Sequence, residues 1–370
     1  MRKKILEVIR QGQIGGGESH LLDLVYFLDK RRFEPVCLSF TDGEMVRRLT
    51  QWGVKCHVID SEKAFDLKVQ HKVRRLLESE GIDLIHAHGS RAASNVLMAS
   101  KLTGRPLVYT VHGWSFHDDQ PALVKRLRGW SEKLICKGAS RVICVSQSNA
   151  ETGRLVFGLQ QADVIENGIN LKVFNPDTAH SLRQQFGFSA DDFVVGFVAR
   201  ATKQKNPLLF LDALEKAHRQ NAHIKGLFVG EGDLDEDVGK LMAEHQMHDF
   251  IYRSKFRTDV PNVLKTIDVY CLPSLWEGLS IALLEAMAMG KAIVATPTDG
   301  TKELLVDQEN GIIVPFNDAD GLAASFINLY NDRQLLVSCG IHATNMVKER
   351  FNAQRVAHSV MSIYDSVVCS

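Results

Sequence analysis

Short apolar runs alternate with longer amphipathic segments along the whole chain. In the first half "ILEVI" precedes "SHLLDLVYFLDK", "PVCLSF" precedes "EMVRRLTQWG" and "CHVID" precedes "KVQHKVRRLLESEG"; "LIHAH", "LVYTVHG" and "RVICVS" follow. Continuous short apolar runs read as strands buried on both faces, and the intervening segments as helices. The pattern therefore predicts parallel sheets with crossover helices. A second series, "FVVGFVAR", "LLFLDALEKAHRQ", "KGLFVGEGD", "FIYRSKF", "DVYCLPS", "KAIVAT" and "GIIVP", repeats the arrangement. The polar stretch from Glu166 to Asp177, marked by Asn, Gly and Pro, reads as the linker. Tandem short repeats and low-complexity segments do not occur.

The fold class predicted is α/β, with two Rossmann-like doubly wound domains: residues 1–172, joined by a C-terminal helix at about 352–370, and residues 173–351. With 370 residues and 45% hydrophobic content the chain can fill two cores. Ligands of open α/β sheets bind outside the carboxyl ends of the strands, so the chemistry is expected in the loops there, with the domains facing across a cleft.

Lysine plus arginine and aspartate plus glutamate both number 44, so no global field favours nucleic acid or membrane. The balance hides an asymmetry, net +6 over residues 1–177 and −6 over the remainder. Seven scattered cysteines without a C-x-x-C pair read as buried free thiols of a reducing compartment. The basic "MRKKILEVI" has its apolar run broken by Glu7 and Arg10 and reads as a first strand, not a signal peptide. No run of 18 uncharged apolar residues occurs, so no membrane span is expected.

Several strand-end loops carry candidate chemistry. "GQIGGGES" places Gly16 and Gly17 before a helix, where backbone amides can meet an anion; the spacing is not G-x-G-x-x-G, so dinucleotide binding is not supported. "VGFVARATKQKNP" puts Arg200 and Lys205 on one loop, two cations suited to a diphosphate or else a solvated basic loop. In "WEGLSIALLEAMAMG" Glu277 precedes a helix read as Ser280 to Met289 and closed by Gly290, while Glu285 lies on it; nothing nearby in sequence neutralises either. Amides of Gly278, Leu279, Ser280 and Ile281 then suit an anion, and the two carboxylates suit sugar hydroxyls. "LIHAHG" and "VYTVHGWSFH" supply His86, His88, His112 and His117. His112 is the functional candidate. His86 and His88 are either structurally satisfied or an H-x-H metal pair completed by Asp118, Asp119 or another histidine.

Together "EGLSIALLE", the Arg200/Lys205 loop, "GGGE", the His112 "HG" and "NGIN…FNP" resemble the family-four retaining glycosyltransferases of the GT-B fold, over essentially the whole chain. The resemblance implies transfer of a hexosyl-type sugar from a nucleotide diphosphate sugar, UDP-sugar favoured, without metal or cofactor. It further implies that Arg200 and Lys205 hold the diphosphate, Glu285 the ribose hydroxyls and Glu277 a donor-sugar hydroxyl. His112 then lies near the reacting carbon, and Gly16 and Gly17 meet the phosphate. The last segment, "NAQRVAHSVMSIYDSVV", looks like the helix that crosses back to the first domain.

Other readings stay open. "GDLDED" contains Asp233-Leu234-Asp235, a D-x-D spelling of metal-using transferases, but after a strand it reads as the opening of a helix. A metal-dependent hydrolase using His86 and His88, a soluble small-molecule transferase, a phosphorylase- or epimerase-like enzyme and a sugar-nucleotide sensor are the rivals. Residues 121–138, "PALVKRLRGWSEKLICKG", set Leu123, Leu127, Trp130 and Leu134 on one stripe ringed by Lys125, Arg126, Arg128, Lys133 and Lys137. The stripe is either core-facing beneath a solvated basic side or a surface resting on anionic lipid beside a polyprenyl-linked acceptor. The expected location is cytoplasmic, peripheral at the inner face of the cell membrane in the second case. Glycan, lipid-linked and small-molecule acceptors all remain open as partners.

Overall fold

The structure is a computed structural model that describes residues 2–116 and 120–368. The chain divides into two compact units, Met1–Gly168 with Ala353–Ser370, and Ile169–Asn352.

In the first unit seven strands form one sheet: β1 (Lys3–Ile9), β2 (Phe33–Ser39), β3 (Lys55–Val58), β4 (Leu84–His88), β5 (Leu107–Val111), β6 (Arg141–Cys144) and β7 (Asp163–Val164). They lie in the order β3-β2-β1-β4-β5-β6-β7 and every pair is parallel. The second unit holds β8 (Phe193–Val198), β9 (Ile224–Val229), β10 (Ile251–Ser254), β11 (Val269–Leu272), β12 (Ala292–Ala295) and β13 (Ile312–Ile313), ordered β10-β9-β8-β11-β12-β13 and again all parallel. Both orders are Rossmann-like. Strand order reverses beside the first strand of each unit, and that reversal opens a crevice at the strands' carboxyl ends. In the first unit it falls between β1 and β4, in the second between β8 and β11.

The central strands are apolar throughout because helices cover both faces, as in "FVVGFV" of β8 with Phe193, Val195 and Phe197 fully buried. The helix Ala353–Val368 packs with the first unit, where Ala357, Val360, Met361, Ile363 and Tyr364 join Ile5, Leu24, Leu84 and Val108 in one cluster. Burying side chains of this size contributes roughly 1.5–3 kcal/mol each, enough to hold the terminal helix against β1.

Candidate functional site

In the second unit the chain leaves β8 at Val198 and enters a loop that carries Arg200, which is exposed and makes no ion pair among the described residues. The loop is braced by the one after β9. Ala201 N–H donates to Glu231 O at 3.1 Å, and Leu234 N–H donates to Ala201 O at 2.9 Å. The approach is so close that a Cβ on Gly230 would stand 1.9 Å from Ala199 O, and Gly230 has φ +144°. The "GEG" of "GEGDLDED" is therefore a backbone support for the arginine loop. Asp235 opens the helix Asp235–Glu244 and pairs with Arg253 at 2.6 Å.

Beyond Arg200 a short 3-10 turn, Lys203–Lys205, ends at Asn206 with φ +52°, and Pro207 begins the helix Pro207–Gln220. This turn aims Lys205 across the strand reversal. Its Nζ is ion-paired with Glu277 Oε1, on the loop after β11. The same Oε1 accepts from Ser274 Oγ at 2.8 Å, and Gln204 Nε2 donates to Trp276 O at 2.9 Å. Lys205 thus supplies the cation that no neighbour in sequence offers. Its side chain is 13% exposed and that of Glu277 8%, whereas Glu277 Oε2 accepts no protein hydrogen bond among the described residues.

The turn Glu277-Gly278 is pinned from the far side. A Cβ on Gly300 would lie 1.7 Å from Gly278 O, so only glycine lets the helix Asp299–Leu304 approach. The next helix runs Ile281–Ala288 with Ser280 as its N-cap, and Gly290 follows with φ +69°. Tyr270, fully buried on β11, donates its hydroxyl to Val198 O at 3.0 Å. Burial, then the charges of Glu285 and Glu277, push its pKa well above the usual phenol range. Both glutamates therefore bear on one spot at the end of β8. A separate depression of about 560 Å³ lies along the edge strand β10, lined by Phe186, Tyr252 and Lys255, and contains none of the candidate residues.

In the first unit Gly16 begins the helix Gly16–Phe27, and a Cβ on Gly17 would sit 3.5 Å from His112 Cδ2, so glycine loop and histidine are neighbours. His112 Nε2 is 3.1 Å from His88 Nδ1, and His88 Nε2 is 3.0 Å from Glu7 Oε2. His86 is enclosed, its Nδ1 2.6 Å from Tyr364 Oη and its Nε2 2.7 Å from Thr110 Oγ1. Tyr364 donates to Glu7 Oε1 at 2.8 Å. His20, from the helix after the glycines, packs edge-on against His112, and among the described residues its buried Nε2 has no hydrogen-bond partner within bonding geometry. Burial first, and then histidine neighbours, hold His112 well below the usual imidazole range, His20 down to about 3 and His88 to about 4. Sequence reasoning missed Glu7, His20 and Tyr364. The one signal was a lone acid inside an apolar strand.

Two groups, His20 with His88 and His112, and Glu7 with His86 and His88, place their ligand-type atoms within 4.8 Å of one another and could hold a cation. His117, Asp118 and Asp119 lie outside the described residues.

The basic helix runs Ala122–Gly138, and its inward face is Gly129, Glu132 and Ile135. Glu132 is fully buried and accepts from Ser90 Oγ, Tyr109 Oη, Ser115 N–H and Ser115 Oγ. This anchor rotates the apolar stripe outward, so Leu123, Leu127, Trp130 and Leu134 are 69%, 59%, 65% and 41% exposed. The core-facing expectation for the stripe is overturned, because Gly129, the hydrogen-bonded Glu132 and Ile135, not the leucines, make the helix contact. Among the described residues no helix is long and apolar enough to cross a membrane.

Comparison with known proteins agrees with this architecture. The description Glycosyltransferase Family 4 matches residues 14–173, and Glycosyl transferases group 1 matches residues 179–346. The UDP-Gal:alpha-D-GlcNAc-diphosphoundecaprenol alpha-1,3-galactosyltransferase of Escherichia coli is 29% identical over 311 residues, 82% of this chain and 80% of that protein. A phosphatidyl-myo-inositol mannosyltransferase of Mycolicibacterium smegmatis is 28% identical over 82% of this chain and 76% of its own. Among solved structures, Anabaena HepE in complex with UDP and glucose superposes with a TM-score of 0.86 at 24% identity, covering 99% of this chain and 100% of that one. The two family descriptions, adjoining at the boundary between two Rossmann-like units, identify the chain as a member of the family-four, group 1 glycosyltransferases of the GT-B fold.

Proposed function

We propose that the protein transfers a hexosyl-type sugar from a UDP-sugar to a glycan or polyprenyl-linked acceptor in cell-surface polysaccharide synthesis, retaining the anomeric configuration and using no metal. The observation that carries this reading is the Lys205–Glu277 pair at the strand reversal of the second unit. Among the described residues it leaves one carboxylate oxygen without a protein donor, on the loop that leads into the helix Ile281–Ala288, while the exposed Arg200 lies on the loop after β8 that also carries Lys205. A diphosphate draws on Arg200, Lys205 and the amides of Gly278, Leu279 and Ser280; Glu277 Oε2 then accepts from a donor-sugar hydroxyl, and Glu285 from the ribose diol. Departure of the nucleoside diphosphate places charge on its β-phosphate, which these fixed cations and dipoles stabilise as it forms. The first unit contributes Gly16, Gly17 and His112 to the same reaction. With the glutamates acting as binders, the leaving phosphate takes the acceptor's proton on the face it leaves, and the configuration is retained.

Support for the donor and acceptor classes comes from the relatives, one of which uses UDP-Gal and a diphosphoundecaprenol acceptor. The exposed stripe of the helix Ala122–Gly138, ringed by Lys125, Arg126, Lys133 and Lys137, suits an anionic lipid surface at the membrane where such an acceptor resides. A competing metal-dependent reading rests on the unpartnered His20 Nε2 beside His88 and His112. Incubation with UDP-hexoses and a polyprenyl-diphosphate sugar, with and without EDTA, tests the proposal, and NMR of the product reads the anomeric configuration. An EDTA-insensitive product with the donor's configuration is expected; inversion, or loss of turnover in EDTA, refutes those parts.

A further inference from the structure

Glu7 is a fully buried carboxylate in the middle of β1, and among the described residues no lysine or arginine is paired to it. A lone buried acid is costly, and an apolar residue of similar volume would commonly serve stability as well or better. What it touches is a hydrogen-bonded line that ends at His112. The carboxylate has only acceptors. Oε1 accepts from Tyr364 Oη at 2.8 Å, and Oε2 lies 3.0 Å from His88 Nε2, so His88 must carry its proton on Nε2. A neutral imidazole has one proton, which leaves His88 Nδ1 bare, an acceptor for the His112 Nε2–H 3.1 Å away. His112 is then bare at Nδ1, for which the described residues offer no partner.

We infer that Glu7 is a positioning residue that acts through His88 to hold His112 in its Nε2–H form, so that His112 meets the donor sugar with a hydrogen-bond acceptor at Nδ1. The consequence is a specificity. An acceptor there pairs with a sugar hydroxyl and repels a carboxylate, so neutral hexosyl donors are selected over uronic acid donors. The inference rests on the proposed role of His112 beside the donor sugar. The depressed protonation of His88 and His112 accords with it, since both rings stay neutral near pH 7.

Nitrogen-15 spectra of the full-length protein without ligand read each histidine's tautomer directly. Wild type is expected to show His88 and His112 protonated on Nε2. In Glu7→Gln, the orientation that keeps the Tyr364 bond to the amide oxygen turns the NH₂ to His88 Nε2, which in that orientation must accept. Both His88 and His112 are expected to switch to Nδ1–H, with kcat for the UDP-hexose lowered about tenfold or more while its binding changes little. Tyr364→Phe, which leaves the Glu7–His88 bond intact, is expected to keep the wild-type tautomers. An Nδ1–H form of His112 in wild type, or unchanged tautomers in a folded Glu7→Gln, overturns the inference. Switched tautomers with unchanged kcat refute instead the role of His112 in the proposed reaction.

Discussion

Lys205 and Glu277, 72 positions apart, form an ion pair almost wholly enclosed within the second unit, and Ser274 Oγ shares the carboxylate oxygen that the lysine takes. The pair sets a charged group of each sign at the strand reversal before any ligand arrives.

Removing one partner of such a pair leaves an uncompensated buried charge. Lys205→Ala is therefore expected to lower stability by about 3–5 kcal/mol in urea titration, while Lys205→Ala/Glu277→Gln regains most of the loss. Turnover should stay down by roughly 100-fold or more in both, with donor affinity less affected, because the cation acts on charge that develops in the transition state. A single variant as stable as wild type would show that the pair is not sealed from water.

Gly300 fixes the Glu277-Gly278 turn from outside the candidate residues. A Cβ 1.7 Å from Gly278 O cannot be accommodated without moving that turn, so Gly300→Ala should cut kcat/KM at least about tenfold in a protein whose circular dichroism is unchanged. Unaltered kinetics would mean the turn does not position the reacting groups.

The buried histidines predict an acid-sensitive fold. His20 and His88 have folded-state values near 3 and 4, below the ordinary 6.5, so the unfolded chain binds more protons between those limits. Their contribution is fully present above pH 6.5 and is lost as pH falls toward 4. Each such histidine steepens the fall by up to about 1.4 kcal/mol per pH unit. Glu7, also depressed, acts in the same direction at lower pH. His20→Phe should flatten the dependence of Tm on pH between 4 and 6.5; an unchanged slope would show that His20 charges freely in the folded state.

Trp130 and Leu127 lie on the outward stripe of the basic helix. Leu127→Glu/Trp130→Glu is expected to abolish co-sedimentation with phosphatidylglycerol vesicles while shifting stability by no more than about 1 kcal/mol, as exposed substitutions do. Equal vesicle binding by the variant would remove this surface from the account.

The sheets were legible because parallel strands covered on both faces leave continuous apolar runs, and "FVVGFV" or "DVYCLPS" cannot be read otherwise within a βα alternation. The strand-end position of Arg200, Lys205, Glu277 and His112 followed from the same alternation. What escaped were relationships set by register and chain return. Glu7 stands opposite His86 in the β1–β4 pairing and meets Tyr364 from the terminal helix, 357 positions away. In one dimension Glu7 was only a break in an apolar run. The outward stripe of Leu123, Leu127, Trp130 and Leu134 was likewise ambiguous, since helical periodicity gives a face but not its direction; the buried, fourfold-bonded Glu132 decides it.

The most direct test of the central claim is a thermal-shift panel of UDP-, GDP-, ADP- and TDP-sugars, each with and without EDTA, since a ligand of the folded state alone raises its Tm. The account predicts stabilisation by the UDP-sugars, indifferent to EDTA and largely retained in Lys205→Ala/Glu277→Gln, whose loss is in turnover. No response to any nucleotide sugar, or one abolished by EDTA, would contradict it.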